Sequence, residues 1–288
     1  MQTGKPHALN EQGGRSNNED SIFPPKNQAD ETTRFFLVCD GMGGHENGEV
    51  ASSSVCESFA AFLEKVAPDD FNEEVFNRAL DFAFDGLDKK DHSHPTAKKM
   101  GTTLVFLHLN NKQALMAHIG DSRIYHLRKN GQGEVDIVYK SSDHSLVNEL
   151  LKAGIITEEE AACHPKKNVI TRVLQPHPEK RCKADIHIEP DLRAGDRFFL
   201  CSDGVLENLT DKQLCSMAAE QTDDEALINA IRTLCEGHSR DNFSAWLVSV
   251  TEGIQSTGIE QAKGEAGDTF PPRKGKKNQL GRFWQKLF

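Results

Sequence analysis

Four aspartates follow or precede apolar runs and sit beside glycine or asparagine: Asp40 after FFLVC, Asp121 after LMAHIG, Asp203 after FFLCS, and Asp241 before NFSAWLV. A run apolar at every position reads as a strand buried on both faces, and the chain leaves the core where the run stops. A carboxylate at that point is held by rigid backbone yet reaches solvent, and Gly41 or Gly204 lets an ion come close to the main chain. One Asp-Gly after a strand is ordinary turn chemistry. Four in strands of similar character predict a single metal site. Oxygen donors without histidine or thiolate suit Mg²⁺ or Mn²⁺ rather than zinc or copper.

Two more acids, Glu19 and Asp20, lie in RSNNED, with Arg15 four residues before Glu19. Carboxylates with one arginine are what metal-assisted phosphoryl transfer requires. Two cations sharing a carboxylate lower the pKa of a bridging water and neutralise an in-line phosphoryl group, and arginine holds the phosphate bidentately. Other phosphoryl chemistries fit less well. No GxxxxGK[ST] loop occurs, the glycine spacing of GMGGHENGE is wrong for a dinucleotide fingerprint, and kinase catalytic-loop residues are absent. The one segment like a cysteine-phosphatase loop, Cys235 to Arg240, reads instead as a helix end with Gly237 at its C-terminus.

The elements that must position these groups come in clusters. EVASSSVCESFAAFLEKVA and FNEEVFNRALDFAFDGLDK carry apolar residues at helical spacing and predict two successive helices against one sheet face. VFLHL, ALMAHIG, SRIYHLR and EVDIVYK, separated by turn signals such as Asn130-Gly131, predict an antiparallel meander. SLVNELLKAG and a capping-box segment opening at Thr157 predict short helices in an inserted flap at about 141–180. A strand at 197–201, a capping-box helix from Thr210, a helix near 223–236 and a strand at 243–250 close the pattern. Strands and helices in runs, not in strict alternation, predict an α+β layered sandwich.

With 288 residues the chain can bury one large core and still carry an appendage. Its net charge of −10 argues against nucleic acid as a partner. Seven isolated cysteines without a CxxC pair predict neither disulfides nor structural zinc, and with no apolar leader they place the chain in the cytoplasm. A domain over 1–252, a polar linker over 253–270 and a tail over 271–288 are expected. The tail holds six basic residues and no acidic one, beside Phe283, Trp284, Leu287 and Phe288. It reads either as a solvated terminus or as a peripheral contact for an anionic membrane or a partner.

The ordered set RSNNED, FFLVCDGMGGHENGE, MGTTLVF, AHIGDSRIYHLR, DHSLVNEL, ITRVLQ, GDRFFLCSDGV and DNFSAWLV resembles the metal-dependent Ser/Thr protein phosphatases, phosphatase 2C-like, in their bacterial form, over residues 7–250. The resemblance implies two antiparallel β-sheets sandwiched between layers of helices. It also implies a monomer that hydrolyses phosphoserine and phosphothreonine in proteins, opposing a Ser/Thr kinase. The alternative is a regulatory module that binds phosphoprotein or kinase with weak turnover. Carried over residue by residue, Asp40 resembles the acid bridging two Mn²⁺ or Mg²⁺ ions, with the Gly41 carbonyl as a further ligand, and Asp203 and Asp241 complete one shell. Glu19 resembles the acid reaching the second ion through water, with Asp20 its neighbour, and Arg15 the phosphate-binding arginine. Asp121, with Asp203, corresponds to the ligands of an optional third ion. The chain departs from some members at Met42, where they place a histidine that protonates the leaving group. Of the remaining histidines, His45 is expected to be structural or peripheral, His118 and His126 to be packing or surface residues in strands and not ligands, and His144 either to face substrate or to hold a turn. Cys39 and Cys201 are expected to pack as small apolar groups, and Thr102 and Thr103 to support the strand start beside the site.

Overall fold

The structure is a computed structural model that describes residues 1–43, 46–67, 71–91 and 100–254. The predicted tail, most of the linker and His45 lie outside the described residues. The described chain forms two six-stranded sheets in which every pairing is antiparallel. In the first sheet β1 (Gln2–Thr3) and β2 (His7–Glu11) both pair with β12 (Phe243–Glu252), followed by β11 (Arg197–Cys201), β8 (Arg123–Lys129) and β9 (Val135–Lys140). In the second the order is β10 (Asp185–Glu189), β7 (Ala114–Ile119), β6 (Leu104–Leu109), β4 (Phe35–Met42) and β3 (Asp20–Phe23), with β5 (Gly101–Thr102) on β4.

Period-two alternation sorts each strand's side chains onto two faces, and in the central strands, such as β6 and β7, both faces are buried. Phe36, Val38, Val105, Leu107, Ile124, Phe198, Leu200, Trp246 and Val248 fill the space between the sheets. Leu37, Cys39 and Phe106 point the other way, onto α1 (Glu46–Leu63) and α2 (Glu73–Lys90). Tyr125, Leu127, Phe199 and Cys201 pack beneath α6 (Asp211–Glu220) and α7 (Asp224–Cys235). The result is the expected helix, sheet, sheet, helix stack. Each fully buried Leu, Val or Phe contributes about 1.5–3 kcal/mol, so three apolar layers oppose the chain entropy.

Local signals set the helix ends. Asn72 caps α2 by accepting from the Val75 amide at 3.0 Å. Thr157 with Glu160, and Thr210 with Gln213, form reciprocal capping boxes at α4 (Glu158–Ala162) and α6. The other flap helix, α3 (Leu146–Lys152), starts at Ser145. Gly237, with φ +73°, follows α7, and Cys235 is fully buried, as the helix-end reading of that segment requires.

Two expectations change. The predicted meander is broken: β6 pairs with β7 and β8 with β9, but β7 and β8 belong to different sheets. Turn signals and alternation are the same whether a chain turns back on itself or crosses a sandwich, so the crossover at Gly120-Asp121-Ser122 is set by packing. Asp40 is also inside its strand and not at its end, because β4 continues through Met42 by pairing with β5.

Candidate metal centre

At one end of the sandwich the inter-sheet core gives way to a polar layer. The side-chain rows that fill the core with Ile22, Val38, Val105, Ile124, Leu200 and Trp246 continue, two residues away, into Asp20, Asp40, Thr103, Ser122, Ser202 and Ser244. Strand alternation alone therefore delivers polar groups from both sheets to one place. Asp20 and Asp40 are direct cross-strand partners on β3 and β4. Two like charges opposite one another weaken a sheet, so this pair is there for something other than stability.

Hydrogen bonds fix the layer. Thr103 Oγ1 accepts from the Asp40 amide at 3.0 Å and shares a hydrogen bond with Ser122 Oγ at 2.8 Å, linking the second sheet to the crossover. The Asp40 carbonyl accepts from the Thr103 amide and from Thr102 Oγ1, both at 2.9 Å, the supporting role expected of the two threonines. Ser202 Oγ donates to Asp20 Oδ2 at 2.8 Å and accepts from the Ser244 amide at 2.9 Å. Asp203 then opens the short helix α5 (Asp203–Leu206), and Asp241 stands two residues before β12. A Cβ on Gly204 would overlap the Asn242 carbonyl, so these two chain segments touch through backbone.

Glu19 is seated by glycine. The Gly41 amide donates to the Glu19 carbonyl at 3.2 Å, and a Cβ on Gly48 would collide with the Glu19 carboxylate. Asn242 was legible as half of an Asp-Asn pair but had no assigned role. Its Oδ1 accepts from the Glu19 amide at 2.9 Å and its Nδ2 donates to the carbonyls of Gln12 at 2.7 Å and Asn17 at 2.8 Å. It thus staples the loop carrying Arg15 and Glu19 to β12. Arg15 Nη2 donates to Asp241 Oδ2 at 2.5 Å while the side chain stays 58% exposed, so its guanidinium stands at the rim of the site and faces solvent.

Without a cation this gathering of acids is unfavourable. Burial, followed by the charges of Asp20, Asp203 and Asp121, raises the Asp40 carboxyl well above its ordinary range. Burial likewise pushes Asp20 up to about 7 against its serine hydrogen bonds, with Asp203 and Asp241 adding to the rise. Asp121 rises to about 7 through burial and Asp203, and Asp203 is raised by burial and Asp241. Asp121 Oδ1 and Asp203 Oδ1 are buried with no hydrogen-bond partner. Buried unpaired carboxylate oxygens and mutual repulsion are both relieved by a divalent cation, and the all-oxygen donor set fits Mn²⁺ or Mg²⁺. Among the described residues no three of these acids place oxygens all within 4.8 Å of one another.

A second cluster, His118, His144 and Asp185, does bring ligand-type atoms within 4.8 Å. Its geometry is not that of a metal centre. The two imidazoles are stacked, with centroids 4.5 Å apart and planes 11° from parallel, so one ion cannot lie in both ring planes. His144 Nδ1 accepts from the Gly120 amide at 3.1 Å, which leaves the proton on Nε2, facing Asp185 Oδ2 at 3.2 Å. The His144 amide donates in turn to the Gly120 carbonyl at 2.9 Å. His144 is therefore buried against the crossover, bonded to Gly120 next to Asp121. His118, buried, donates through Nε2 to the Ser142 carbonyl at 2.9 Å. His126 is buried against Phe198 with Nε2 3.1 Å from Asp196, a packing role as expected. Cys39 and Cys201 are fully buried and apolar in setting.

Comparison with known proteins agrees with this fold. A protein phosphatase 2C family model matches residues 10–250, and the chain belongs to that family. Protein phosphatase PhpP of Streptococcus pneumoniae is 34% identical over 251 residues, covering 83% of this chain and 94% of PhpP. The crystal structure of the Mycobacterium tuberculosis serine/threonine phosphatase PstP/Ppp superposes with a TM-score of 0.73 at 29% identity, over 88% of this chain and all of that one. The PstP catalytic domain in complex with two manganese ions superposes with a TM-score of 0.70 at 28% identity, over 88% of this chain and all of that domain. The chain is thus a protein Ser/Thr phosphatase of the 2C type. Among the described residues no helix is long and apolar enough to cross a membrane.

Proposed function

We propose that the enzyme hydrolyses phosphoserine and phosphothreonine in proteins at a binuclear Mn²⁺ or Mg²⁺ centre, in opposition to a Ser/Thr kinase. The observation that carries this reading is the convergence of Asp20, Asp40, Asp121, Asp203 and Asp241 in one partly buried, self-repelling layer with orphaned oxygens and an exposed arginine at its rim. Asp40, the Gly41 carbonyl, Asp203 and Asp241 would hold the ions, with Glu19 and Asp20 serving the same centre. Asp121 with Asp203 would hold an optional third ion. When bound, the ions supply a water of lowered pKa and neutralise charge on the phosphoryl group.

The chain's own residues do the rest. Arg15 binds and orients the phosphate: one nitrogen is held by Asp241, which fixes the plane of the guanidinium and turns its remaining N–H groups outward. Ser202 and Thr103 hold Asp20 and the Asp40 backbone in place, so little reorganisation accompanies the reaction. The test is release of phosphate from a phosphothreonine peptide in the presence of Mn²⁺, with Asp40→Asn as the variant. Turnover should fall at least a thousandfold while the variant stays folded. Equal turnover in the variant would refute the assignment.

A further inference from the structure

A cleft of about 800 Å³ adjoins the acidic layer through Asp121 and Asp203. Its lining also includes Lys167 from the flap and Arg240 from the segment after α7. The charges lining it are unequal in their freedom. Arg123 is engaged twice by Asp143, at 2.7 Å through Nε and 2.7 Å through Nη2, so that pair is neutral to an incoming ligand. Glu207 is occupied at its Oε2 by the Arg240 amide at 2.8 Å and by Ser239 Oγ at 3.3 Å. Asp121 and Asp203 belong to the metal centre proposed above. Lys167 and Arg240 are both exposed, and neither side chain has a hydrogen bond or ion pair among the described residues. Outside the metal centre, Glu207 is then the one acid of the cleft whose charge meets no cation among the described residues, against the two cations Lys167 and Arg240.

Resting on the phosphatase reading, we infer that this cleft binds the peptide chain flanking the phosphorylated residue and favours acidic side chains there. A phosphoryl group seated at the metal centre has this cleft adjoining it through Asp121 and Asp203, and a peptide chain lying in the cleft meets Lys167 and Arg240. An extended segment advances about 3.3 Å per residue, so acids a few positions from the phosphoresidue come level with those cations. Basic flanks meet the two cations and are repelled. Exposed ion pairs are each worth a factor of up to about five, so two set a preference and not an absolute requirement.

The experiment compares kcat/KM for two phosphothreonine peptides, one with glutamates and one with lysines around the phosphoresidue, in Mn²⁺ buffer of low ionic strength. The wild type should favour the acidic peptide about fivefold or more, and the ratio should shrink towards one near 1 M salt, where screening reaches about 3 Å. In Lys167→Glu/Arg240→Glu the ratio should invert. Because each ratio is taken within one protein, a general change in activity cancels, and Lys167→Glu alone, on the exposed flap, should lower the ratio partway. A ratio of one in the wild type, or one unmoved in the variants, overturns the inference. Hydrolysis of p-nitrophenyl phosphate by the wild type separates the two levels: its presence leaves the phosphatase reading standing when the peptide preference fails. Loss of all phosphomonoester hydrolysis refutes both.

Discussion

Replacing His144 with phenylalanine keeps a flat ring against His118 but removes both nitrogens. The Gly120 amide, now accepted by His144 Nδ1 at 3.1 Å, is then buried without a partner. An orphaned donor costs about 1–3 kcal/mol, or roughly 2–4 °C in Tm per kcal/mol for a domain of this size. Asparagine places an oxygen near the position of Nδ1 and should recover part of the loss. Acid gives a second, independent reading of the same contact. Burial and the neighbouring His118 depress His144 from 6.5 to about 4 against the pull of Asp185. The folded state therefore binds the proton more weakly than the unfolded chain does. The associated stability is fully present above 6.5 and is lost as pH falls from there towards about 4. Between pH 7 and pH 5 the wild type should lose on the order of 2 kcal/mol that His144→Phe does not. Denaturant melts of both proteins at the two pH values measure the difference, with groups remote from His144, His118 and Asp185 cancelling between them. Parallel pH dependence in the two proteins would show that this imidazole is not held neutral by the crossover, and an unchanged Tm at pH 7 would remove the hydrogen bond from the account.

Adding Mn²⁺ to chelator-treated protein should raise Tm by several degrees by relieving the buried acids, and Asp203→Asn should blunt the shift; calorimetric titration of both proteins checks it. Thr103→Val removes the acceptor for the Asp40 amide and the link to Ser122, and should weaken Mn²⁺ binding about tenfold or more with only modest loss of stability, as read by the same titration. Gly204→Ala would press a methyl group into the Asn242 carbonyl, so either turnover or Tm must drop sharply, whereas a silent substitution would contradict the backbone contact. Asp196→Ala would leave Arg128 without its two hydrogen bonds to that carboxylate and should cost about 3–5 kcal/mol in denaturant unfolding.

Strand alternation, helical spacing and caps are properties of a few neighbouring residues. The buried runs FFLVC and RFFLC, the capping boxes at Thr157 and Thr210 and the Gly237 helix end could therefore be read directly from the chain, as could the acids that had to act together. Short or half-exposed strands carry too little pattern to be read, and β2, β3 and β10 went unseen until they had partners. Nor can a local pattern say which sheet a strand joins. Packing sends β7 and β8 into opposite sheets, and that crossover carries Asp121 into the polar layer. The same long-range pairing sets Asp20 against Asp40, brings Asn242 onto the loop of Glu19, and buries His144 where a substrate contact was one of two expectations. The residue types fixed the kind of chemistry because a carboxylate's charge and ligand preference travel with it. Which carboxylates face one another was decided only when two distant sheets closed over a common core.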